Sequence, residues 1–215
     1  MRANFWLGLL TALVLSCGCA GAAVVDVDIS DAHGHALSDA VVELSPTDKS
    51  TMPGTNLPTE SVIDQRHETF LPLVTVIRRG GHVIFTNNDT TMHQVYSFSD
   101  IKQFALELDE GRRSQPMVFD KPGVAAIGCN IHDQMITYVY VAAQPFAAMS
   151  NGQGRTALEG VPDGRYRGTV WHPQLPPGAP LPAFDLVVTG ASARTSVTLP
   201  VTAAPRRKPT HMQMY

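Results

Sequence analysis

Apolar and polar residues alternate in short runs along this chain, and the runs rarely exceed seven residues. Residues 24–29 place Asp26 and Asp28 between Val25, Val27 and Ile29, the two-residue period of a half-buried strand. Similar runs predict strands at 40–44, 62–63, 73–77, 82–86, 93–98, 104–108, 118–119, 124–128, 136–141, 165–171, 184–188 and 196–199. Turn residues separate them: Asp31-Ala32-His33-Gly34-His35, Arg79-Gly80-Gly81, Asn87-Asn88-Asp89-Thr90 and the Gly-rich stretch 151–154. Nowhere do apolar positions keep a 3.6-residue period for long. Many short strands with regular turn signals predict an all-β chain of β-sandwiches.

Composition agrees with that reading. The 215 residues include 17 Gly and 16 Pro, with 44% hydrophobic and 16% charged residues, which suits a turn-rich folded chain and not a disordered one. The formal net charge of −3 and the lack of a basic stripe exclude nucleic acid as a partner. Residues 1–22 read as a signal peptide: Arg2, an apolar stretch from Phe5 to Leu15, and the small-x-small pattern Ala20-Gly21-Ala22. Lipoprotein processing at Cys17 is the rival, and only then would the protein be membrane-anchored. Both routes predict export, to the periplasm. The Pro-, Thr- and Ser-rich residues 51–60 read as a linker, and 203–215 as a mobile tail.

Export changes the meaning of the cysteines. Cys17 and Cys19 belong to the leader, so ordinary cleavage leaves Cys129 alone, with no disulfide possible within the chain. A lone exported thiol is buried and inert, paired between chains, or a metal ligand. Its neighbours, Cys129-Asn130-Ile131-His132-Asp133-Gln134-Met135, put a thiolate, an imidazole and a thioether into one loop between two strands. Sulfur donors suit copper(I), imidazole suits both oxidation states, and two His, one Cys and a weak axial Met form the blue-copper set. The second histidine must come from elsewhere, and His93, at the start of a strand after a polar loop, is the best candidate. Zinc is the alternative, with Cys129, His132, His93 and Asp133 as donors, because Met is a poor zinc ligand.

Residues 63–141 resemble a cupredoxin of the plastocyanin and amicyanin type. The resemblance is carried by Phe70-x-Pro72, by Gly80-Gly81-x-Val83-x-Phe85-x-Asn87-x-Asp89, by His93-x-Val95-Tyr96-Ser97-Phe98 and by Gly128 through Met135. Ile63-Asp64-Gln65, Tyr96-Ser97-Phe98 and Gly128 through Met135 also resemble exported methylamine-utilisation-type proteins. The resemblance implies a Greek-key β-sandwich over 61–142 holding one copper ion at a type 1 site, with His93, Cys129 and His132 as ligands and Met135 axial. Many relatives have His where this chain has Gln94, so any role of a second histidine there is absent or altered. The flanks resemble a carboxypeptidase-regulatory or transthyretin-like sandwich, through Asp31-x-x-Gly34-x-x-Leu37-x-x-Ala40-Val41-Val42 and through Leu158-x-Gly160-Val161-Pro162-x-Gly164-x-Tyr166. Residues 24–50 and 145–201 are therefore expected to form one discontinuous small sandwich, with the copper domain inserted. The alternative is a strand pair that caps the cupredoxin.

The other histidines fit plainer roles. His33 and His35 read as solvated turn residues, His82 as an exposed strand start and His172 as a partner of Trp171. His67 could reach the site only if the linker folded over it. Met92 and Met117 read as packing residues, while His211, Met212 and Met214 lie in the tail, where they could capture copper(I). No acid, base and nucleophile set is visible, so the expectation is not an enzyme but a periplasmic single-electron carrier with unidentified redox partner proteins. Copper storage or delivery, and an interaction module with a vestigial site, are the alternatives.

Overall fold

The computed structural model describes residues 22–48 and 56–202. The leader except Ala22, Cys17, residues 49–55 and the tail lie outside the described residues. Sixteen strands follow one another: β1 Ala23–Ser30, β2 Val41–Pro46, β3 Glu60–Gln65, β4 Phe70–Leu71, β5 Val74–Arg78, β6 Gly81–Asn87, β7 His93–Ser99, β8 Lys102–Leu108, β9 Met117–Phe119, β10 Gly123–Cys129, β11 Ile136–Ala142, β12 Phe146–Met149, β13 Arg155–Val161, β14 Gly164–Trp171, β15 Ala183–Val188 and β16 Ser192–Thr198. No helix occurs among the described residues, so the all-β class holds.

The strands form four sheets. Sheet I runs β13-β1-β16, sheet II β12-β2-β14-β15, sheet III β4-β3-β6-β9 and sheet IV β5-β11-β10-β7-β8. Sheets I and II draw their strands from both flanks of the chain. β1 pairs antiparallel with β13 and parallel with β16, and β2 lies between β12 and β14. Their shared core includes Val25, Val27, Leu44, Leu158, Val170, Val188 and Leu199. In β1 every second side chain is buried, and the outward Asp26 and Asp28 meet Arg194 at 3.3 Å and Arg155 at 3.5 Å. The hydrophobic alternation thus fixes which face turns inward.

Sheets III and IV enclose a second core of Ile63, Phe70, Phe85, Val95, Phe119, Ile127 and Val139. Cys129 and Met135 belong to that core. A third apolar cluster joins the outer faces of sheets II and IV: Val41, Val74, Tyr140, Ala142 and Ala147, with Trp171 packed against them. The expected linker is ordered at its end. β3 begins at Glu60, the Pro58 carbonyl accepts Arg78 N–H at 3.2 Å, and the Thr59 carbonyl accepts His82 N–H at 2.8 Å. Pro and Thr in that segment mark an extended edge that supplies carbonyls to β5 and β6, which composition alone does not distinguish from a free linker.

Candidate metal centre

The register of sheet IV builds the site. β7 and β10 pair with Cys129 opposite Val95 and Gly128 opposite Tyr96. His93 stands two residues before Val95, so it faces the same side of the sheet, diagonal to Cys129. His93, Val95 and Ser97 are all buried in β7, as are Ala125, Ile127 and Cys129 in β10. The loop after Cys129 then turns back. Asn130 N–H donates to the Gln94 carbonyl at 2.9 Å, extending the β7–β10 pairing by one step, and Met135 N–H donates to the His132 carbonyl at 3.0 Å. That short turn returns His132 to the side where Cys129 and His93 lie.

Three donor atoms converge as a result. His93 Nδ1 and His132 Nδ1 are 3.2 Å apart. Cys129 Sγ lies 3.6 Å from the first and 3.8 Å from the second. Those three residues are the group of His, Cys and carboxylate side chains close enough to hold one metal ion among the described residues. A point equidistant from the three atoms lies about 2 Å from each, close to ordinary metal–imidazole lengths of ~2.0–2.1 Å and a little short of ~2.3 Å for a thiolate.

Hydrogen-bond chemistry supports a cation at this point. His93 Nε2 lies 2.9 Å from Asp89 Oδ2. A carboxylate only accepts, so Nε2 carries the proton, and in a neutral ring Nδ1 presents a lone pair. That lone pair faces the Cys129 sulfur at 3.6 Å and the His132 nitrogen at 3.2 Å. A positive ion at the centre satisfies all three donors, and the carboxylate behind His93 fixes its tautomer as carboxylates do behind metal-bound imidazoles.

Asp89 is itself held in place. Its carboxylate accepts His67 N–H at 2.6 Å and Glu68 N–H at 2.9 Å, and its own N–H donates to Asn87 Oδ1 at 2.9 Å. Buried Asn87 ties the same loop together through the Thr91 and Leu108 carbonyls, each at 2.8 Å. Burial pushes the Asp89 carboxyl up, but the bonds from Glu68, His93 and His67 outweigh it and hold its pKa below the usual carboxylate value. The His67 and Glu68 backbones have φ of 52° and 50°. Two non-glycine residues in the left-handed region cost about 1–2 kcal/mol each, and the two bonds to Asp89 offset part of that.

Of the expected site residues, His93, Cys129 and His132 come together, with His93 fully buried, Cys129 3% exposed, and the His132 side chain 19% exposed. Met135 is buried in the core beside Cys129. Asp133, the expected fourth donor to zinc, is exposed and outside the cluster. His67 approaches through its backbone in the β3–β4 turn, not through the linker, and its side chain is exposed. His82 stands near the start of β6 but is half-buried and not exposed, with its ring 2.8 Å from Glu60. Two residues escaped the sequence reading, Asp89 and Glu68. The position of Asp89 four residues before His93 could have marked the first. Glu68 carries no local signal, because its place depends on the fold of a turn remote from the ligand loop.

No family model matches the chain, and no curated protein matches it. Solved structures do. A purple cupredoxin from Nitrosopumilus maritimus is 25% identical over 38% of this chain and 99% of its own, with a TM-score of 0.34. Amicyanin from Paracoccus versutus is 19% identical over 46% of this chain and 97% of its own, with a TM-score of 0.35. A copper-containing nitrite reductase from Thermus scotoductus is 23% identical over 46% of this chain, with a TM-score of 0.37, and the match spans 26% of the reductase.

Proposed function

We propose that this chain is an exported single-electron carrier that holds one copper ion at a type 1 site, in the manner of the cupredoxins it resembles. The observation that carries the reading is the triangle of His93 Nδ1, His132 Nδ1 and Cys129 Sγ, three metal-binding atoms that converge within 3.8 Å of one another. When bound, copper supplies a one-electron couple between +2 and +1. The protein contributes rigidity. Cys129 and His93 are fixed by adjacent strands, so their separation is set by sheet register. Asp89 holds the His93 ring through Nε2, and Asn87 holds the loop that carries Asp89. Met135, buried in the same core as Cys129, would supply a thioether to the copper. Water is kept from Cys129 and His93 by the core around them, and the part-exposed His132 ring is the edge through which an electron reaches a redox partner.

The leader-like residues 1–22 support a periplasmic location, with a membrane anchor only if Cys17 is lipidated. The deciding experiment adds copper(II) to the purified apo-protein and records visible absorption and electron spin resonance. The expected result is one copper per chain, an intense sulfur-to-copper band, and reversible bleaching on reduction. Absent stoichiometric binding would favour an interaction module. Coloured protein that exchanges its copper readily with a chelator would favour storage or delivery.

A further inference from the structure

Both imidazoles that face Cys129 turn their second nitrogen toward a carboxylate, and the two carboxylates arrive differently. Asp89 precedes His93 by four residues and is 12% exposed. Glu68 comes from the β3–β4 turn, where its Oε1 lies 3.6 Å from His132 Nε2, an ion-pair contact longer than a hydrogen bond. Its other oxygen, Oε2, accepts from Gln134 Nε2 at 3.3 Å, and Gln134 sits in the ligand loop. Glu68 therefore touches the ligand loop twice.

The turn that presents Glu68 is an unusual choice of residues. Arg66 and Thr69 exchange both backbone hydrogen bonds around it, at 3.0 and 3.2 Å, and both central residues have positive φ. Two-residue hairpins of that shape are normally filled by Asn-Gly or Asp-Gly. Here the positions are His67 and Glu68, and the Asp89 carboxylate holds both of their N–H groups. The carboxylate that orients His93 thus also holds the strained turn that aims Glu68 at His132. Strain at a residue whose side chain reaches a site points to use of that side chain.

We propose that Glu68 is a positioning residue for His132: it sets negative charge behind the part-exposed ligand and tethers the ligand loop through Gln134. The proposal rests on the copper reading of the site. A carboxylate there favours the more highly charged ion and so lowers the reduction potential, and screening by salt weakens the effect because Glu68 is half exposed. Turn formation alone would be served better by glycine, which adopts positive φ without steric strain.

The test uses the full chain as wild type, Glu68→Gln, Glu68→Gly and the remote control Glu159→Gln. Each is loaded with copper(II), and the potential is measured at about 0.01 M and about 1 M salt, where the screening length is ~30 Å and ~3 Å. Both Glu68 variants are expected to favour copper(I) by about threefold, a rise of about 28 mV at 59 mV per decade for a one-electron couple. The rise should shrink at high salt and be absent in Glu159→Gln. Apo Glu68→Gly should melt no lower than wild type. Potentials in both Glu68 variants equal to wild type would overturn the proposal, as would a rise only in Glu68→Gly accompanied by a lower melting temperature, the mark of a purely structural turn. Wild type without a charge-transfer band would overturn the copper reading and this proposal with it, and that result is visible before any variant is compared.

Discussion

Each sandwich buries a histidine, and the two are used in opposite ways. His172, just after β14, donates through Nε2 to the Ser38 carbonyl at 3.2 Å and accepts Gln174 N–H on Nδ1 at 3.2 Å. Both nitrogens serve the backbone, and burial lowers its pKa against the opposing Ser38 bond and Asp39 charge. His93 serves the backbone with neither nitrogen: one side meets Asp89 and the other meets Cys129 and His132. The same contrast runs through the neighbouring groups. In the flanking sandwich Asp31 accepts His33 and His35 N–H groups, and Ser150 joins Ala40 N–H to the Leu37 carbonyl. Buried polar groups that finish backbone hydrogen bonding stabilise a fold, whereas imidazole and thiol groups that converge on one point mark a candidate site. Similar double-layered sheets carry both, so the architecture by itself does not reveal which sandwich has chemistry.

The largest expected effect comes from testing that contrast directly. Cys129→Ser should abolish the sulfur-to-copper band entirely, because a hydroxyl is a hard, poorly donating ligand for copper. His132→Ala should lose most of the colour and regain part of it with added imidazole, since a neutral nitrogen can be supplied from solution. His172→Ala should keep the colour in full while lowering the melting temperature. Colour that survives Cys129→Ser, or that is lost with His172→Ala, would erase the distinction between the two histidines.

A backbone perturbation in the flanking sandwich should separate the regions from the other side. Gly154 has φ of 72°, and a Cβ there would run into the Ile29 carbonyl oxygen and lie 3.0 Å from Leu37 N. Gly154→Ala should cost about 2–4 kcal/mol, combining left-handed strain with a clash against backbone that cannot rotate away. Denaturant unfolding should show an early loss of the flanking sandwich while the copper band persists at zero denaturant. Simultaneous loss of the band in native buffer would mean that sheets I and II hold the site together.

The all-β class was legible because alternation over β1, β7 and β11 leaves little room for another period. β12 was not, since Phe-Ala-Ala-Met has no alternation and its strand exists only because Val41–Leu44 offers a partner. β4 was not either, being two residues completed by pairing with Asp64 and Gln65. In the site, Cys129, His132 and Met135 announce themselves because one loop carries all three. Asp89, four residues before His93, has a local signal in that spacing, but Glu68 has none, because its role is decided by which imidazole the fold turns toward it. The chemistry of donors is written locally, and so is the Asp89 carboxylate behind His93, whereas Glu68 reaches His132 only through the fold of a remote turn.

The join between the sandwiches offers a smaller effect. Glu43, on β2, is buried against β11, accepting Tyr140 O–H at 3.4 Å and Ala143 N–H at 3.1 Å. Burial raises its pKa above the ordinary 4.5, against the opposing bonds from Ala143, Gln144 and Tyr140. The folded state then binds the proton more tightly than the unfolded chain. The stability this contributes is fully present below about pH 4.5 and is lost as pH rises through the raised folded value. Glu43→Gln should remove that slope and leave the protein more stable above the window by roughly 1 kcal/mol, the scale of one adjusted hydrogen bond. Melting temperatures from pH 4 to pH 8 would show it, and an unchanged slope in the variant would place the pH dependence elsewhere.

The smallest stability effect carries the sharpest comparison, because one side chain occurs in both regions. Met135 is 2% exposed beside Cys129, and Met149 is 37% exposed on β12 of the flanking sandwich. Met→Leu nearly conserves volume and should cost less than about 1.5 kcal/mol at either position. If both methionines were only apolar filling, both variants would leave the copper potential where wild type has it. An axial thioether at Met135 predicts otherwise. Removing its electron donation disfavours copper(II) more than copper(I), so Met135→Leu should keep the ion, keep the Cys129 band with a shifted maximum, and raise the potential. Met149→Leu should change neither colour nor potential. A common result for the two variants would assign Met135 to the core alone and reduce the copper set to His93, Cys129 and His132.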